Sequence, residues 1–286
     1  MIAIGNGQLT ATINPLGAEL TSLKDSGGRE LMTDADPAFW TGHAPILFPI
    51  VGRLNGDVLR IDGVDYPMKQ HGFARRQGFE VVQHDAASAL FRLTANDETR
   101  AQYPFEFALE VDFSIEAATL TIDVRIANPG AAPLPASLGF HPAFAWPLPF
   151  GAPREDHRIV FASDEPVPIK QLADGLIAGD RPSPLDGHML ALTDALFADD
   201  ALIWDPIHSS SVSYGPPSGP RLYIDFPDTP QLGIWSKPGA AFVCIEPWHG
   251  HADPAGFTGD FRDKPGMFEV APGADWTCSM SVTLRA

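Results

Sequence analysis

Four polar residues in this chain share one placement: each lies at the end of a strand-like segment, with glycine or proline beside it. They are Arg53, His71, His141 and Glu246. Glu246 is the plainest case. The apolar run Phe242-Val243-Cys244-Ile245 reads as a buried strand, and one carboxylate then appears, followed by Pro247 and Trp248. Proline has no N–H to donate, so it is expected to stop ordinary strand pairing at that point. A carboxylate on a rigid strand beside a large indole is a common way to build a sugar-handling site. An imidazole and a carboxylate can both exchange protons near neutral pH, which makes His141 and Glu246 candidates for general acid–base work. Arg53 offers a planar fork of donors suited to vicinal hydroxyls. Each residue also has an ordinary explanation as a hydrogen-bonded structural histidine, a rim charge or a solvated strand end. It is the recurrence on one chain, with Trp248 nearby, that favours chemistry.

Other chemistries find less support. His249-Gly250-His251 forms an H-x-H pair which, with Glu246, faintly resembles a β-sandwich metal site. Ligands two apart on a strand point the same way. Gly250 and Asp253-Pro254 place the pair in a loop, however, and no further ligand is fixed by spacing, so no metal is assigned. There is no G-x-S-x-G elbow and no glycine-rich phosphate loop. A glycosidase needs paired carboxylates, and Glu246 has no obvious partner. Asp205 and Asp225 are the tempting ones, and a solvated strand edge explains both.

The elements that must hold these residues are strands. Phe105 to Ile115 alternates strictly between apolar and polar residues, and Thr119 to Ile126 does the same, as expected of antiparallel strands with one wet face. Asp62-Gly63 marks a hairpin within 57–70. Asp36 and Pro37 are placed to start a single helical turn carrying Phe39 and Trp40, and Asn96-Asp97-Glu98 reads as an acidic turn. No helix longer than about two turns and no fixed-period repeat emerges. Roughly 20 short strands separated by turn signals predict an all-β fold, a large many-stranded antiparallel β-sandwich formed by residues 1–286 as a single domain. Residues 249–266 form a long loop that is a candidate lid or rim.

Composition bounds the partners. Lys and Arg total 19 against 36 Asp and Glu, a formal charge of −17, which argues against nucleic acid and anionic membrane surfaces. No apolar run approaches the roughly 20 residues needed to cross a bilayer, and the first residues do not read as a secretory signal. Cys244 and Cys278 are expected to be buried thiols in a reducing cytoplasm. Oligomeric state is not legible.

The segments Pro45–Asn55 (PILFPIVGRLN), His71–Arg75 (HGFAR), Leu138–Phe144 (LGFHPAF), Leu232–Pro238 (LGIWSKP) and Phe242–His249 (FVCIEPWH) resemble, in order, the aldose 1-epimerase family, and most closely its LacX-like branch of galactose mutarotase-related proteins. HGFAR and the block around Cys244-Ile245-Glu246-Pro247-Trp248 carry most of the likeness, and 150–200 carries little. The resemblance implies a galactose mutarotase-like supersandwich and a small-molecule sugar substrate. It casts His141 as the acid toward the ring oxygen and Glu246 as the base on the anomeric hydroxyl. His71 and Arg53 would hold the sugar's hydroxyls and its ring-oxygen region. Asp205 is the candidate for the family's sugar-binding aspartate, and Trp235 and Trp248 offer apolar faces to a pyranose. The expected reaction interconverts α and β anomers with no cofactor or metal, the two proton carriers standing on opposite sides of the sugar. The alternatives are a binding or sensing protein without catalysis, a sugar-phosphate mutarotase that would need several basic residues at the site, and metal-dependent chemistry through His249 and His251.

Overall fold

A computed structural model describes all 286 residues. Two large antiparallel sheets dominate. One has nine strands in the order Met189–Ala191, Arg158–Phe161, Ser211–Gly215, Arg221–Asp225, Asp275–Arg285, Thr119–Ala127, Ala108–Glu116, Ser88–Thr94 and Glu80–His84. The alternation read from the sequence is the one observed: Leu109, Val111, Phe113 and Ile115 are buried while their neighbours face outward. The same holds for Leu120, Ile122, Val124 and Ile126 on the partner strand.

The second sheet carries the site. Its order is Leu176–Arg181, Ile169–Ala173, Leu202–Trp204, Gln231–Trp235, Phe242–His249, Leu138–Phe140 and Ile46–Leu47, with Ala143–Ala145 also paired to Phe242–His249. Residues from both sheets join one core cluster of 64 buried side chains. Val243 and Ile245 point into that core, whereas Phe242, Cys244, Glu246 and Trp248 occupy the opposite face of the same strand, as a period of two requires. A three-stranded sheet, Ile2–Gly5, Leu9–Asn14 and Glu19–Asp25, one hairpin, and the two-stranded pair Leu134–Ala136 with Phe268–Val270 complete the fold. The hairpin Val58–Ile61 with Val64–Pro67 forms around Asp62-Gly63 as expected. Asn96-Asp97-Glu98 is not a plain turn. It opens the one-turn helix Asp97–Arg100, because Asn96 and Thr99 cap it reciprocally. No helix is long and apolar enough to cross a membrane.

Pro247 does not end its strand. The strand runs on to His249, with Pro247 opposite Leu232 and Trp248 opposite Gln231. The reason lies on the other edge. The N–H of Ile245 donates to Pro142, and the next N–H on that side would belong to residue 247. There the neighbouring chain breaks between Leu138–Phe140 and Ala143–Ala145, so no ladder bond is required and a proline fits. That break is His141-Pro142. The interruption that tolerates Pro247 therefore also delivers the imidazole beside Glu246.

Candidate active site

Glu246 and His141 are 1% and 7% exposed, and their side chains touch, with Nε2 of His141 at 3.1 Å from an Oε of Glu246. They form the floor of a cavity of about 300 Å³, at the lower end of the range for small-molecule sites. Trp40 stacks on His141 with ring centres 4.9 Å apart, and Trp235 meets both rings edge-on. Trp40 arrives on the turn that starts at Asp36, whose carbonyl accepts the N–H of both Phe39 and Trp40. Trp248 also lines the cavity. Its indole is gripped by two glycines: a methyl at Gly233 would lie 2.5 Å from the ring and one at Gly139 2.6 Å from it. Large side chains on the neighbouring strands would expel this indole.

His71 stands edge-on to His141, ring centres 5.6 Å apart. The Gly52 N–H donates to its Nδ1 at 3.2 Å, so the ring proton sits on Nε2. The HGFAR segment can place it there because His71 and Gly72 both adopt left-handed backbone, φ 65° and 70°. A Cβ at position 72 would fall 2.1 Å from the Phe48 carbonyl oxygen, which only glycine avoids. The following turn brings Arg75 to the cavity wall. Arg76 spends a donor on the Gly72 carbonyl, while the Arg75 guanidinium makes no ion pair or hydrogen bond within the chain.

Burial governs the electrostatics. It pulls His141 down to about 3, with Arg75 acting in the same direction. It pushes the Glu246 carboxyl well above the usual carboxylate range, reinforced by Asp200 and partly offset by the Trp248 indole. His71 is driven well below its ordinary value by burial and by His141, Arg75 and Arg76. Burial therefore favours the neutral pair, one proton on the carboxyl facing an unprotonated imidazole nitrogen.

Of the residues singled out from the sequence, His141, Glu246, His71, Trp235 and Trp248 meet in this cavity. Arg53 does not. Its fork is engaged by Asp57, Nε to Oδ1 at 2.8 Å and Nη2 to Oδ2 at 3.0 Å, and Nη1 donates to the Asp174 carbonyl. It lines an adjoining polar pocket with Lys69 and Asp174. Asp205 also lies outside. It accepts from Gln231 at 3.0 Å and stands 3.5 Å from His251, supporting the segment behind the cavity. The aspartate that reaches the cavity is Asp200, held at φ 74° with its carboxylate accepting the Ala201 N–H. The sequence does not single it out. Nor does the sequence mark Trp40, Gln70 or Arg75 as cavity residues. Arg75 ends the HGFAR block, the one signal that pointed at it.

The first residues after His249 are fixed against the cavity. His251, Ala252 and Asp253 are buried, Lys264 Nζ donates to the His251 carbonyl, and Asp253 accepts the Asn55 N–H at 2.8 Å. The H-x-H pair is split: His249 packs on Phe268 and Trp276, whereas His251 turns toward Asp205. The donor set that does converge is His141, Cys244 and Glu246, whose ligand atoms all lie within 4.8 Å of one another.

The expectation that the two proton carriers stand on opposite sides of a sugar does not hold, since they are in contact. Chemistry accommodates this. The anomeric hydroxyl oxygen and the ring oxygen are bonded to the same carbon, so an acid and a base only a few ångströms apart can serve both.

A sequence model described as Aldose 1-epimerase matches residues 1–259. Protein LacX (chromosomal) of Lactococcus lactis subsp. lactis is 33% identical over 283 residues, covering 95% of each chain. Among solved structures, a galactose mutarotase related enzyme from Lactobacillus acidophilus superposes with a TM-score of 0.93 at 34% identity, covering 99% of this chain and 97% of that one. A galactose mutarotase-like protein from Lactobacillus casei gives a TM-score of 0.92 at 32% identity, covering all of both chains.

Proposed function

The chain belongs to the aldose 1-epimerase family, and from that premise we propose that it interconverts the α and β anomers of a free aldose, with His141 and Glu246 as the proton carriers. The observation that carries this reading is their 3.1 Å contact at the floor of a tryptophan-walled cavity.

The two protonation arrangements of the pair, carboxyl with imidazole and carboxylate with imidazolium, have the same net charge. Moving the proton across the existing contact therefore transfers no charge into or out of the site. A bound sugar brings polar hydroxyls that favour the ionised form. Imidazolium then protonates the ring oxygen while carboxylate takes the proton of the anomeric hydroxyl. The ring C–O bond breaks and the open aldehyde forms, leaving imidazole and carboxyl, the neutral pair that burial prefers. Rotation about C1–C2 presents the other face of the carbonyl. Closure reverses both transfers and yields the other anomer. His71 Nε2–H, Gln70, Arg75 and Asp200 supply hydrogen bonds to the ring hydroxyls, and Trp40, Trp235 and Trp248 supply the apolar walls.

One observation favours a second reading. The unengaged Arg75 guanidinium suits a sugar bearing a carboxylate or phosphate. Polarimetry on a panel of neutral and phosphorylated aldoses decides between them. The first reading expects faster mutarotation of a neutral aldose and only a modest loss in Arg75→Gln. Turnover confined to anionic sugars and abolished in Arg75→Gln would favour the second. Calorimetric binding of sugar with no acceleration would leave a binding protein.

A further inference from the structure

The geometry points to a binding site for a divalent cation of the zinc class formed by His141, Cys244 and Glu246, whose occupancy blocks sugar turnover. Nothing in the mutarotation chemistry uses Cys244. Yet it stands two residues before Glu246 on the same face of the strand, fully buried and free, and its sulfur lies with the two proton carriers inside a 4.8 Å triangle. Tetrahedral zinc, with bonds of about 2.0–2.3 Å, places its ligand atoms roughly 3–4 Å apart. The His141–Glu246 edge already measures 3.1 Å, and the two edges to Cys244 are no longer than 4.8 Å.

All three side chains are at least nine-tenths buried, so their donor atoms face one another rather than water. One nitrogen, one sulfur and one oxygen donor form a set for borderline-soft ions rather than for magnesium or calcium. Binding displaces the thiol and carboxyl protons. A dication then faces thiolate, carboxylate and neutral imidazole, so the buried site remains uncharged overall. Three protein ligands leave a fourth position toward the cavity, which touches His141 and Glu246 and gives the ion its way in. The −17 formal charge draws cations toward the molecule. With both proton carriers held by the metal, neither can serve a sugar.

The ordinary explanation is that Cys244 is a small apolar residue packed with Ala143, Ala240 and Phe242. Cobalt(II) titration of the chelator-treated full chain separates the two. Wild type is expected to show thiolate-to-cobalt charge-transfer absorption in the near ultraviolet, lost in Cys244→Ser and Cys244→Ala and abolished by added zinc. Both variants should turn over sugar like wild type without metal, and zinc should inhibit them at concentrations at least about tenfold higher, the lower end of what loss of even a supporting group costs a metal site. No such band in wild type, or equal zinc inhibition of wild type and Cys244→Ser, would overturn the site. The inhibition rests on the proposed mutarotation, whereas the cobalt spectrum does not. A protein that gives the band yet never turns over sugar keeps the metal site and loses the mutarotation, and an active protein without the band does the reverse.

Discussion

Replacing Glu246 with glutamine tests the proton relay with little disturbance of the fold. The carboxyl is 1% exposed and burial holds it neutral, so the amide matches it in size, charge and ability to donate to His141 Nε2. The usual penalty for altering a buried ionised group does not arise, and thermal unfolding should stay close to wild type. Catalysis should not. An amide cannot take the anomeric proton, and loss of one general acid or base typically costs about 10²–10⁴-fold, or about 2.7–5.4 kcal/mol of barrier. Polarimetry of freshly dissolved sugar reads this directly, with the spontaneous rate as the floor. Because one proton serves both residues, Glu246→Gln combined with His141→Asn should be little worse than the poorer single variant. A folded Glu246→Gln protein turning over sugar at nearly the wild-type rate would refute the relay.

Three further outcomes follow from the packing and charge around the site. Gly233→Ala sets a methyl 2.5 Å from the Trp248 ring; pushing the indole into the cavity should cost about 1–3 kcal/mol of stability and raise KM more than it lowers kcat, as steady-state kinetics and denaturant melts would show. Asp205→Ala removes the acceptor for Gln231, so stability should fall by about 1 kcal/mol with kcat/KM nearly unchanged; a folded variant with collapsed kcat/KM would restore Asp205 as a sugar ligand. Lys264 is lowered by burial from 10.5 to about 8. Below pH 8 it is charged whether folded or unfolded, and the burial penalty is fully present. Between about 8 and 10.5 the unfolded chain keeps the proton that the folded chain sheds, so stability should rise with pH by about 3 kcal/mol from this group. Denaturant titrations at pH 7.5 and 10 span about 2 kcal/mol of that increment; Lys264→Met should lack it, and an identical rise in both proteins would contradict it.

What the sequence revealed depended on whether each feature is local. Strands such as Ala108–Glu116 and Thr119–Ala127 announce themselves because one wet face imposes strict alternation. His141 and Glu246 could be found because each sits where a strand-like run meets proline, and the resemblance supplied their pairing. Features set by a distant partner were misread. Pro247 looked like a stop because the break at His141-Pro142 that accommodates it lies about a hundred residues earlier. Arg53 looks available in the sequence because the Asp174 carbonyl that takes its Nη1 is remote, although Asp57, which holds the rest of its fork, lies only four residues on and comes within reach through the tight turn Asn55–Asp57. Asp200 and Trp40 lie in stretches with no periodicity, and only the folded chain brings them to the cavity.

The most direct measurement is equilibrium exchange NMR of a free aldose with a catalytic amount of the protein. The account predicts exchange cross-peaks between the α and β anomeric protons that grow with protein concentration and vanish with Glu246→Gln. Sugar that binds while its anomers exchange no faster than in buffer, across the neutral and phosphorylated panel, would contradict it.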